Sequence, residues 1–173
     1  MSTEQSHIYA LDASRMPWGD YGCILLSGMT SHLERQNGLL QLERTGPFVP
    51  PISLPGIADI VVTNDFKHLL EGSGLTGFTF QPVIKKHIVF LEWEKWDKKS
   101  EEPLEYPGTG EPEDYILERA HSPELAQQIG DLWELCLEEC AEVERQQIGP
   151  QRWDSEATAH DPVRCCCASL FQH

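Results

Sequence analysis

The side chains best equipped for chemistry in this chain are six cysteines, seven histidines and 28 Asp and Glu, and their spacing limits what they could do. Cys165, Cys166 and Cys167 are consecutive, with His160 and His173 nearby, which raises zinc binding. Tetrahedral zinc sites separate paired thiolates by two to four residues so that both reach one ion, whereas neighbours on a strand point in opposite directions. No metal is therefore expected there. Cys136 and Cys140 stand one helical turn apart on an apolar stripe, where a free cysteine acts as a small hydrophobe. The histidines, His7, His32, His68, His87, His121, His160 and His173, form no His-Glu-x-x-His pair, and no Gly-x-Ser-x-Gly elbow accompanies them. Gly72-Ser73-Gly74-Leu75-Thr76-Gly77 matches the dinucleotide-binding glycine pattern literally. It is expected to follow a helix and precede a strand, the reverse of the order in which such glycines cradle a pyrophosphate. No catalytic residue, cofactor or metal is assigned, and the chain reads as a binding protein rather than an enzyme. The enzyme alternative rests on carboxylate pairs such as Glu138 with Glu139 or Asp114 with Glu118, and such pairs arise by chance in so acidic a chain.

Charge is the feature that composition alone does not explain. Residues 101 to 144 hold fourteen Asp and Glu against one basic residue, Arg119, a net −13 of the chain's −15. Residues 1–100 carry eleven acids and nine bases, and residues 145–173 three of each, so the imbalance is local. Summed charge of one sign steers cationic molecules in and repels nucleic acid phosphates. The expected partner is thus a basic protein, with neither nucleic acid nor membrane contacted directly. Glu101, Glu102, Glu105, Glu111, Glu113, Asp114 and Glu118 are the candidate partner-binding acids. Trp93 and Trp96 are candidate anchors beside them, because Trp is enriched at binding hot spots, or else one of them closes the core at a strand end. Oligomeric state is left open.

These side chains need elements to position them. A chain of 173 residues is most simply one domain spanning 1–173, long enough to bury roughly 70% of its unfolded surface without a metal or disulfide. Six cysteines fall well under the ~8–10% of a disulfide scaffold. Met1 to Ser14 lacks a basic segment followed by an apolar one, and no run approaches eighteen apolar residues, so a cytoplasmic protein with reduced thiols is expected. Cys23-Ile24-Leu25-Leu26, between Gly22 and Gly28, reads as a short strand. Asn37-Gly38 suits the positive φ angles of a hairpin turn ahead of a strand through Leu39, Leu40 and Leu42. Thr45 to Gly56, with four prolines, reads as an extended loop. Ile57 to Val62 reads as a strand; Thr63-Asn64-Asp65 offers N-cap side chains, with Phe66, Leu69 and Leu70 as a helical face that Gly72 and Gly74 terminate. Phe78 to Gln81 and Ile84 to Trp93 read as strands, and residues 98–115 as a long loop with Tyr106 and Tyr115 as anchors. A helix is expected from Ser122-Pro123-Glu124, with Leu125, Ile129, Leu132, Trp133, Cys136 and Cys140 as its apolar stripe; the stretch from Leu137 to Ile148 could instead be a strand. The class is α+β, a mixed or antiparallel sheet with two or three packed helices and a poorly defined tail after residue 154.

Five segments together carry a resemblance: Trp18-Gly19-Asp20-Tyr21-Gly22, Arg44-Thr45-Gly46-Pro47-Phe48, Asp59-Ile60-Val61-Val62-Thr63, Gly74-Leu75-Thr76-Gly77-Phe78-Thr79-Phe80-Gln81-Pro82-Val83 and Arg152-Trp153-Asp154. The chain resembles uncharacterised bacterial proteins near the immunity-protein families of polymorphic and contact-dependent toxin systems. The resemblance implies a cytoplasmic inhibitor that binds and neutralises a cognate toxin, with no catalytic residues. Combined with the acidic segment, it points to a cationic toxin domain, a nuclease being one such class. Some of those families carry paired Cys-x-x-Cys-Gly motifs; this chain has none, so zinc is not carried over. A structural or adaptor module of a secretion or phage-related assembly is a further alternative.

Overall fold

A computed structural model describes residues 17–30 and 32–137, and the backbone of two further strands, Glu144–Gln147 and Trp153–Glu156. The run Cys165 to Cys167, together with His160, His173, Cys140, Glu138 and Glu139, lies outside the described residues. The fold is α+β, with four short α-helices among the described residues and strands paired in both senses.

Asp20–Ser27 is a helix, α1, not the expected strand. A four-residue apolar run does not by itself distinguish the two, and packing decides. Tyr21 and Leu25, one helical turn apart, both join a cluster with Trp93 and Tyr115, while Ile24 packs into a second cluster with Met29, Val89 and Ile116. The chain leaves α1 through Gly28 at φ 75°. A Cβ there would stand 2.4 Å from the Glu43 carbonyl oxygen and 2.7 Å from the Arg44 Cβ, so both the angle and the space require glycine.

Asn37 (φ 53°) and Gly38 (φ 83°) make the expected tight turn, with Gln36 and Leu39 bridged across it. It feeds β1, Gln41–Gly46, which is buried from Leu42 to Gly46. Both edges of β1 are occupied. Met29 and Glu43 exchange backbone hydrogen bonds on one side (2.8 and 3.0 Å), and β5, Ile84–Phe90, pairs in parallel on the other. Arg44, wholly buried on β1, pairs with no carboxylate among the described residues: its Nη2 donates to the carbonyls of Leu26 (3.2 Å) and Phe48 (3.4 Å), its Nε to that of Thr45, and Nη1 meets no acceptor among them. Burial pulls this guanidinium down to about 10. A positive charge at Leu26 stands where the C-terminal carbonyls of α1 favour a cation.

The second sheet is antiparallel and four-stranded, in the order β2 (Ile52–Ser53), β3 (Val61–Thr63), β6 (Leu132–Leu137), β4 (Phe78–Pro82). β4 and β5 are almost continuous: the N–H of Val83 donates to Leu132 and that of Ile84 to Leu40, so one extended segment passes from the antiparallel sheet to the parallel pair. The expected helix α2, Asn64–Gly72, is present with Thr63 as its cap, its side chain accepting from the Phe66 N–H. The helix expected from Ser122 is far shorter. It is capped by Ser122 as read, but α4 spans only Pro123–Gln128, and Gly130 at φ 71° turns the chain into β6. Leu132, Trp133 and Cys136 therefore lie on a strand rather than along a helical stripe. Leu40, Leu42, Val61 and Leu132, joined by Val49, Val83 and Ile129, fill the space between the two sheets and α4.

Candidate functional site

The acidic segment begins just past a turn of 3-10 helix, Trp93–Lys95, and its geometry is set by aromatic side chains. Trp93 is core: its ring is 1% exposed and its indole N–H donates to Thr45 Oγ1 at 3.1 Å. It is therefore corrected from anchor to core, since no partner reaches a ring that closes the cluster around Leu25. Trp96, half-buried, packs against Trp18 (ring centroids 5.8 Å apart) and Tyr115 (6.0 Å). Its surface is shared between the core and solvent.

The 98–115 segment is a tethered loop. Trp18 Nε1 donates to the Ser100 carbonyl (3.1 Å) and the Tyr21 hydroxyl to that of Gly110 (2.6 Å), so both ends are tied to the start of α1. The Tyr115 hydroxyl donates to the Glu105 carbonyl in the middle. Both aromatic anchors expected from the sequence hold: Tyr115 is buried on α3 (Asp114–Leu117), and the Tyr106 ring meets Tyr21 edge-on at 5.1 Å. Burial, then the Glu105 charge, pushes the Tyr115 phenol up to about 12.

Three candidate acids are used inside the loop. Glu105 pairs with Arg119 Nη2 at 2.6 Å, Glu118 accepts the Gly108 N–H at 3.2 Å, and Asp114 accepts the Thr109 hydroxyl. Asp114 and Glu118, a carboxylate pair raised for acid and base catalysis, thus each hold a piece of the same loop. The carboxylates of Glu101, Glu102, Glu111 and Glu113 are exposed and meet no donor among the described residues. The tethers bring these four toward one end of α1. None of the four is held in an ion pair among the described residues, although Lys98 and Lys99 stand exposed in the same loop next to Glu101.

Two polar clusters outside this loop carry no sequence signal, because they assemble from distant positions. Glu43 is 6% exposed. Its Oε2 lies 2.8 Å from His32 Nε2 without accepting a hydrogen bond, and its Oε1 lies 3.9 Å from His87 Nδ1. The bulge that places Glu43 opposite His87 instead of Lys86 creates the contact. His87 spends its other nitrogen on the Arg119 carbonyl (2.8 Å), and His121 Nδ1 accepts the Ile88 N–H (2.9 Å), so both rings bind the connection between α3 and α4 to β5. In the second cluster Arg35 grips Glu134 through two hydrogen bonds of 2.7 and 2.8 Å and reaches Asp59 at 3.5 Å, while Asp59 accepts from Thr30. Beside it, burial and then the Glu134 charge raise the Cys136 thiol. Arg35 compensates the buried Glu134 carboxylate, and both clusters link distant chain segments. No group of three His, Cys, Asp or Glu among the described residues could hold a metal ion, and no helix among them is long and apolar enough to cross a membrane.

No protein-family model, curated protein or solved structure matches this chain.

Proposed function

We propose that this protein is an immunity protein that acts in the cytoplasm, binding a cognate basic toxin domain through its acidic loop and neutralising it. The observation that carries the reading is the set of four exposed carboxylates, Glu101, Glu102, Glu111 and Glu113, on a loop tied down at Ser100, Glu105 and Gly110. A tethered loop meets a partner without first losing the conformational freedom that costs a floppy acidic segment its affinity. The same charges would occupy the place of nucleic acid phosphates on a cationic nuclease surface.

The test uses the purified, inactivated product of the reading frame adjacent to that of this chain, with association followed by stopped flow. Complementary charge raises association rates from about 10^5–10^6 to as much as about 10^8–10^9 M⁻¹s⁻¹ at low salt. The fourfold variant Glu101→Lys, Glu102→Lys, Glu111→Lys, Glu113→Lys is expected to lose at least about tenfold in association rate at low salt, and most of the salt dependence with it. An acidic neighbour, or a complex indifferent to both salt and these reversals, would sink the proposal.

A further inference from the structure

Between Ser100 and Gly110 the usual partition of residues is reversed. Pro103 and Pro107 are buried, while Leu104 and Tyr106 between them are 78% and 47% exposed. A leucine so exposed is ordinary in a loose loop, where it contacts whatever passes. Here it stands on a fixed knuckle. The two buried prolines pin its ends and have restricted φ angles, the Tyr115 hydroxyl holds the Glu105 carbonyl, and Arg119 holds the Glu105 carboxylate at 2.6 Å. Leu117, 48% exposed, lies on α3 between Tyr115 and Arg119, the two residues that grip the knuckle. Leu104, Leu117 and the outer part of Tyr106, whose ring meets Tyr21 on one side, are thus exposed on chain tied to the same few tethers, within the segment that carries the unpaired carboxylates of Glu101, Glu102, Glu111 and Glu113.

We infer that Leu104, Tyr106 and Leu117 are the apolar anchors of this face, and that they seat in an apolar pocket on a protein whose surrounding surface is basic. The inference rests on the proposed function and names what that reading leaves open, the groups that hold the complex together once charge has brought it there. The occupant follows from charge complementarity. A second copy of this chain would bring its own carboxylates against the same acidic rim, and nucleic acid would bring phosphates. A basic protein alone satisfies both the rim and the centre, in the arrangement of a dehydrated apolar centre within a polar border that binding surfaces adopt. Rim charge then governs arrival, and the anchors govern departure.

The experiment measures association and dissociation rates against the same adjacent-frame product for the full chain, for Leu104→Ser, for Leu104→Ser with Leu117→Ser, and for the fourfold lysine variant. The two serine variants replace exposed side chains, and unchanged thermal melting verifies the fold. Leu104→Ser is expected to speed dissociation at least about tenfold, the double variant more, with association rate and its salt slope unchanged; the lysine variant shows the opposite pattern. If the serine variants dissociate like the parent while the lysine variant still fails to associate, the anchors are wrong and the proposed function stands. If the parent does not bind the product at all, both fall. If sedimentation shows that the parent self-associates and the serine variants do not, the occupant is a second copy and the inference is overturned.

Discussion

Tyr115 is where the acidic loop and the core meet in a single side chain: its ring packs with Leu25 and Trp93 while its hydroxyl donates to the Glu105 carbonyl. The fold favours the neutral phenol, which is why it ionises only at about 12. An unfolded tyrosine ionises near ~10, so the unfolded chain releases its proton first as the solution becomes alkaline. The stabilisation is therefore fully present below ~10 and lost as pH rises from there to about 12. Tyrosinate absorbance should show a latest-titrating group that Tyr115→Phe removes while Tyr106, also raised by burial and then by Glu102, still titrates late, and chemical denaturation at pH 9 and 11.5 should show a smaller alkaline loss in that variant. An unchanged alkaline loss would assign it elsewhere. No pattern in the sequence distinguishes Tyr115 from Tyr106 as the buried anchor, because the difference is made by α1, some ninety positions earlier in the chain.

Gly28 and Gly130 both adopt positive φ, but they end their helices against different surroundings. A Cβ at Gly130 meets nothing within 4 Å, so Gly130→Ala is expected to cost only the conformational ~1 kcal/mol. At Gly28 the same methyl collides with β1 backbone, adding an overpacking cost of about 1–3 kcal/mol. Urea denaturation of the two variants checks the order, and equal losses would contradict it. These glycines also mark how far elements were legible. Thr63 and Ser122 announced two helix starts through side chains that cap locally, and Asn37-Gly38 announced its turn, since each signal depends on neighbouring residues alone. The length of α4 was not legible, because Leu125 and Leu132 suit a helical stripe as well as two separate elements. What ends α4 is the pairing of β6 with β3 and β4, contacts made with residues some fifty to seventy positions away. The same holds for α1, whose apolar run resembles a strand until Met29 and β5 occupy both edges of β1. At the candidate site, the position and sign of the charge were readable. Its tethering, the burial of Trp93 and the exposed knuckle were not, because all three are made by long-range contacts.

Across the molecule, the acidic loop is joined to the core by aromatic packing, buried prolines and a few directional bonds. Trp18→Phe with Tyr21→Phe removes the donors to Ser100 and Gly110, keeping the Tyr21 ring and giving up part of the Trp18 contact with Trp96. Each such bond contributes about 1 kcal/mol, so exchange at the Gly108 and Gly110 amides should quicken on the order of ten- to thirtyfold while amides of β1 hold their rates. Uniform acceleration would mean that the loop opens only with the whole fold. The near-continuous passage of β4 through Val83 into β5 has a consequence of another kind, for how the chain reaches its fold. β5 must find β1 in parallel and β6 must fit between β3 and β4, so Gln41 waits for Ile84, and Val61 waits for Glu134. Pairings so distant in sequence must meet their loop-closure entropy before any contact rewards it, which places the chain among slow-folding topologies. During that interval its apolar strands stand open to other unfinished copies. Like charge on the 101–144 segment, net −13, opposes such encounters by repulsion, an effect on the unfinished chain that needs no partner.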